Sequence, residues 1–85
     1  MYFQSDNQLF QIVGNNIKYY RKKAHLTQNQ LAEKAGISLS YVSKIEASSC
    51  NKSISISVLN HIANCLNVDI IYFFKEGINN VTKNQ

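Results

Sequence analysis

The stretch from Thr27 to Glu46, TQNQLAEKAGISLSYVSKIE, constrains the fold most, because it spells two short helices joined by a tight turn with glycine at its pivot. A steeply crossing helix pair needs a small side chain at the crossing, a residue free to adopt positive φ, and two apolar anchors on the second helix. Ala32, Gly36, Val42 and Ile45 supply these in order. A side chain larger than Ala32 would overpack the crossing by roughly 1–3 kcal/mol. Gly36 follows the apolar stripe of Leu31, Ala32 and Ala35, where the left-handed conformation carries no Cβ penalty for glycine.

The caps agree with this division. Thr27 with Gln30 reads as a capping box, and Ser38 as the cap of the second helix of the pair. An apolar residue before each cap is matched by one at the fourth helical position, Leu26 with Leu31 and Ile37 with Val42. The same staple recurs as Ile54 with Leu59 around Ser55, and as Val68 with Phe73 around Asp69.

The rest of the chain reads as helical too. Phe10, Val13, Ile17, Tyr20 and Ala24 predict a first helix from Asn7 to Ala24, in which Gly14 costs up to about 1 kcal/mol relative to alanine. The pair then occupies Gln28–Ala35 and Leu39–Ala47, followed by a serine-rich loop from Ser48 to Ile54. A fourth helix buries Leu59, Ile62, Ala63 and Leu66, and a last one starts after Asp69 and ends near Gly77. Tyr2-Phe3-Gln4-Ser5 looks like the remnant of a tobacco-etch-virus protease site. Residues 1–6 are therefore expected to be a disordered start, 7–77 the domain, and 78–85 a polar tail.

Composition narrows the function classes. An 85-residue chain forms one small domain near the size where association helps stability. No apolar run approaches the roughly 18 residues of a membrane span, so a cytoplasmic location is expected. Cys50 and Cys65 lie far apart without clustered histidines, which argues against a metal site, and no cofactor is expected. His25 and His61 fall on different helices and no phosphate-cradling glycine loop exists, so an enzyme is not expected. Nine Lys and Arg against five Asp and Glu give a net charge of +4, which suits an anionic partner. Lys18, Arg21, Lys22 and Lys23 crowd the end of the first helix, either as a solvated face or as phosphate ligands.

The run Ile70-Ile71-Tyr72-Phe73-Phe74 surrounds a helix with apolar side chains on every side, while one domain covers only one side. These five residues are the candidate interface of a two-fold homodimer.

Over Ile17 to Phe74 the chain resembles the phage-repressor and Cro type of helix-turn-helix proteins, the XRE family. The resemblance lies in the Thr27-Gln28 opening and in the runs LAEKAGIS from Leu31, YVSKIE from Tyr41 and LNHIANCLNV from Leu59. It implies an all-α, compact five-helix lambda-repressor-like domain with the helix-turn-helix at helices two and three. It also implies that the first, second and sixth residues of the recognition helix, here Leu39, Ser40 and Lys44, contact bases. Leucine can pack on a thymine methyl, serine can bond several bases, and lysine can donate to guanine O6 and N7. Leu39 departs from the polar residue common in the family, so readout there is apolar, or the side chain lies partly in the core.

By the same resemblance Gln28 bonds backbone phosphate, and Arg21 and Glu46 form an ion pair between helices one and three. Tyr41, Ser43, Asn51 and Lys52 are further phosphate candidates, although the Tyr41 ring could instead pack on the domain surface.

The function these features point to is sequence-specific regulation of transcription on double-stranded DNA. A homodimer would place two recognition helices about 34 Å apart on an inverted-repeat operator. An autoregulatory repressor or a restriction-modification controller fits this description. The alternative is an antitoxin-type module that binds a protein partner, a toxin, through its apolar final helix.

Overall fold

A side-chain oxygen stands at the start of every helix in the computed structural model, which describes residues 3–47 and 53–77. Helix α1 (Asp6–Lys23) begins at Ser5, whose hydroxyl accepts from Gln8 N at 3.1 Å. The residue set aside with the expected start at 1–6 is thus a working cap. Helix α2 (Gln28–Ala35) has the full capping box, with Thr27 Oγ1 accepting from Gln30 N at 3.0 Å and Gln30 Oε1 from Thr27 N at 2.8 Å. Ser38 caps α3 (Leu39–Glu46), and Ser55 caps α4 (Ile56–Leu66).

The helix ends are set by left-handed residues. Gly36, at φ 69°, turns the chain between α2 and α3, and Ile37 N donates back to Ala32 O at 3.0 Å. Asn67 does the same after α4 at φ 57°, and His25 after α1 at φ 62°. These turns bring Ile17, Leu31, Val42, Ile45, Ile62 and Phe73 together as the fully buried centre of one core. All four staples join it: Leu31, Val42, Leu59 and Phe73 are buried, and Leu26, Ile37, Ile54 and Val68 pack against them.

Two expectations are corrected. Among the described residues there are four α-helices followed by a 3₁₀ helix, Ile70–Phe74, in place of five α-helices. The last run is too short to repay an α-helical nucleus, and it closes with i→i+3 bonds, Tyr72 N to Asp69 O at 3.0 Å and Lys75 N to Tyr72 O at 3.4 Å. The carbonyls of Tyr72, Phe73 and Lys75 at its end also accept from outside, from the Asn16 side chain of α1.

The buried face of α1 is also rotated from the apolar stripe. Val13, Gly14, Asn16, Ile17 and Arg21 are buried, whereas Phe10 is half-buried and Ala24 exposed. Gly14 explains the rotation. A Cβ there would run into the Ile45 carbonyl oxygen, so the bare glycine lets α1 and α3 touch backbone to backbone.

Among the described residues no helix is long and apolar enough to cross a membrane.

Candidate functional site

Helix α3 divides by its own periodicity. Val42 and Ile45 point into the core with no exposure, and Glu46 is buried beside them. Leu39, Ser40, Ser43 and Lys44 therefore face solvent and, with Ala47, line one shallow groove. Ser38, Ser40, Tyr41 and Lys44 line an adjoining one, so Lys44 borders both. Leu39 is 46% exposed, which places it on this face and not in the core. Tyr41 is half-buried with its ring against the core.

The orientation of α3 is fixed from α1. Arg21 Nε donates to Glu46 Oε2 at 2.8 Å and Nη2 to Oε1 at 2.9 Å, a two-pronged pair with side-chain exposures of 9% and 2%. The third guanidinium nitrogen, Nη1, donates to Leu26 O at 2.7 Å and so fastens the turn into α2 as well. Such pairs are sensitive to the loss of either partner, because the survivor is a buried charge without its counterion.

Gln28 continues this network outward. Its Nε2 donates to Glu46 Oε1 at 3.1 Å, and its Oε1 accepts from Ser43 Oγ at 3.4 Å. A carboxylate can only accept, so the amide orientation follows from chemistry. A hydrogen-bonded chain thus runs from Arg21 through Glu46 and Gln28 to Ser43 on the exposed face.

The basic cluster at the end of α1 loses Arg21 to the buried pair, while Lys18, Lys22 and Lys23 stay exposed. Lys23 lies over the Tyr19 ring at 5.8 Å. Asn51 and Lys52, like Cys50, lie outside the described residues.

The apolar run of the 3₁₀ helix is divided too. Phe73 has no exposure and belongs to the domain's core. Ile71 and Tyr72 are 50% and 42% exposed, and Ile70 and Phe74 are half-buried at the edges of the same patch. The Lys75 ammonium sits 4.8 Å from the Tyr72 ring centroid, and Tyr20 adjoins Tyr72 with ring centroids 6.4 Å apart. Burial, and then the charges Tyr19 and Tyr72 would carry, push the Tyr20 hydroxyl above its usual pKa.

Reading apolar periodicity missed Gly14 and Asn16, which position α3 and the 3₁₀ helix. The only signal was a glycine inside an otherwise strong helical segment.

A helix-turn-helix family model matches residues 17–73. The immunity repressor protein of Bacillus phage phi105 is 45% identical over 58 residues, covering 68% of this chain and 39% of that protein. The transcriptional regulator SinR of Bacillus subtilis is 37% identical over 59 residues, 52% of its length. The chain thus spans well under two thirds of these curated relatives. The crystal structure of SinR in complex with DNA aligns with a TM-score of 0.69 at 35% identity, covering 74% of this chain and 98% of that one. A SinR–SinI protein complex aligns at 0.71 and 34% identity, over 80% of this chain and 65% of that one. The restriction-modification controller protein C.Esp1396I aligns at 0.70 and 32% identity, over 88% and 95%.

Proposed function

The chain belongs to the helix-turn-helix family, and on that premise we propose that it is a sequence-specific regulator of transcription that binds an inverted-repeat DNA operator as a homodimer. The observation that carries this reading is the solvent-facing surface of α3. Leu39, Ser40 and Lys44 stand on it, while the helix behind them is fixed by the Arg21–Glu46 pair. Rigid support of this kind is what base readout requires, since a hydrogen bond to a base edge discriminates only when donor and acceptor are held in register.

In this reading Lys44 donates to guanine, Ser40 bonds a neighbouring base and Leu39 packs on a thymine methyl. Ser43 and Tyr41 flank them toward the phosphates, and Asn51 and Lys52 extend that set. Gln28 keeps one amide hydrogen beyond the one given to Glu46, and the amino end of α2 adds its own donors. The second copy docks on Ile71 and Tyr72, with Ile70 and Phe74 at the margin.

Regulation by repression follows the phage relative, and a controller role follows C.Esp1396I. A second reading is favoured by the SinR–SinI complex: the same apolar patch could take a different protein, as an antitoxin takes its toxin.

Selection of bound sequences from a random duplex library tests the proposal. Enrichment of an inverted repeat supports it. No enrichment from protein that remains folded contradicts it and moves weight to the protein-binding reading.

A further inference from the structure

We infer that Asn16 is a positioning residue for dimerisation, which clamps the 3₁₀ helix so that Ile71 and Tyr72 face outward while α1 holds the DNA-reading helix in the same frame. The inference rests on the dimer interface proposed above.

The clamp is built from one nitrogen. Asn16 is 4% exposed, and its Nδ2 lies 2.8 Å from Phe73 O, 2.8 Å from Lys75 O and 3.4 Å from Tyr72 O. Two amide hydrogens satisfy the two short contacts, and the third carbonyl shares them at longer range. Phe73 O and Lys75 O lie at and just past the end of the helix, where carbonyls lack intrahelical donors, and Tyr72 O already accepts from Lys75 N at 3.4 Å. A side chain far away in sequence therefore does what a further turn of helix would have done.

This fixes direction as well as stability. Phe73 anchors the segment from inside. Ile70 and Phe74 pack beside it at the core's edge, and the Asn16 bonds to Phe73 O and Lys75 O, with Tyr72 O at longer range, fix how the backbone is rolled about these anchors. With the roll fixed, Ile71 and Tyr72 point away from the core.

The same helix carries Gly14 against the Ile45 backbone and Arg21 on Glu46. Recognition helix and partner-facing segment are thus both referenced to α1. The separation of the two recognition helices in a dimer depends on that shared reference.

The test compares Asn16→Asp, Asn16→Leu and Ile71→Asp in the full chain by sedimentation equilibrium at pH 8 and pH 5, with wild type as control. An aspartate at position 16 presents a carboxylate to three carbonyl oxygens, and burial raises the pH at which it protonates. Once protonated it can donate one hydrogen bond again. Asn16→Asp should weaken the dimer at least tenfold at pH 8 and recover at pH 5, whereas Asn16→Leu should be weak at both. The ionisable groups beside the clamp are Tyr20, Tyr72 and Lys75, and wild type measured at both pH values controls for them.

If Ile71→Asp dimerises like wild type, the interface reading itself fails. If Ile71→Asp is monomeric while both Asn16 variants dimerise within twofold of wild type, the clamp is overturned alone. Hydrogen exchange separates a local from a global effect. The Tyr72 and Lys75 amides should exchange at least tenfold faster in the Asn16 variants with those of α2 and α3 unchanged, and equal acceleration throughout contradicts a positioning role.

Discussion

Arg21 grips both carboxylate oxygens of Glu46, at 2.8 and 2.9 Å, across the crossing of α1 and α3. Both side chains are nearly removed from water, so the pair is worth little against an apolar replacement but much against the loss of one member. Glu46→Ala should destabilise the domain by about 3–5 kcal/mol. It should unfold the protein before it alters any single base contact. Thermal melts within about 2 °C of wild type would refute this.

Gly14 gives a prediction opposite in sign to helix propensity. Glycine to alanine inside a helix ordinarily stabilises by about 0.5–1 kcal/mol. Here the new methyl meets the Ile45 carbonyl, a backbone atom that cannot turn aside. Gly14→Ala should lose about 1–3 kcal/mol in urea denaturation and shift α3 away from α1. Equal or higher stability would show that the two helices are not in backbone contact.

His25 holds a left-handed conformation at φ 62° without being glycine. The bonds around it, His25 N to Lys22 O at 3.0 Å and Leu26 N to Arg21 O at 3.1 Å, form the turn that delivers the chain to α2. His25→Gly removes a penalty of about 1–2 kcal/mol and adds back part of it as unfolded-state entropy, for a net gain of about 0.5–1 kcal/mol. Denaturant midpoints test this, and a lower midpoint would mean that the imidazole makes a compensating contact.

DNA binding should separate into two components. With about six phosphates touched per dimer, log K should fall against log salt with a slope near −5. Under the base readout proposed for it, Lys44→Ala should reduce discrimination between operator and unrelated duplex by about 1–3 kcal/mol. A salt-insensitive isotherm, or equal weakening on all sequences, would assign Lys44 to the backbone instead.

What the sequence revealed and what it hid have separate physical causes. Thr27, Ser38, Ser55 and Asp69 were readable as caps because capping is a local bond between residues two or three apart. Gly36 was readable because few other residues take its conformation. The Arg21 and Glu46 positions came from family resemblance, not periodicity. Asn16 was invisible because its partners lie 56 to 59 residues away, and polar residues do not enter an apolar stripe. The same blind spot turned the run Ile70–Phe74 into an expected α-helix, covered by the domain on one side only. In the structure that segment is a 3₁₀ helix whose end is bonded by Asn16, and Phe73 is consumed by the core.

The most direct test is a hydroxyl-radical footprint of the protein on the inverted repeat obtained by selection. Two protected patches centred about 34 Å apart on one face of the duplex are expected, matching two recognition helices in successive major grooves. A single patch, or protection without two-fold symmetry, would contradict an operator read by a homodimer.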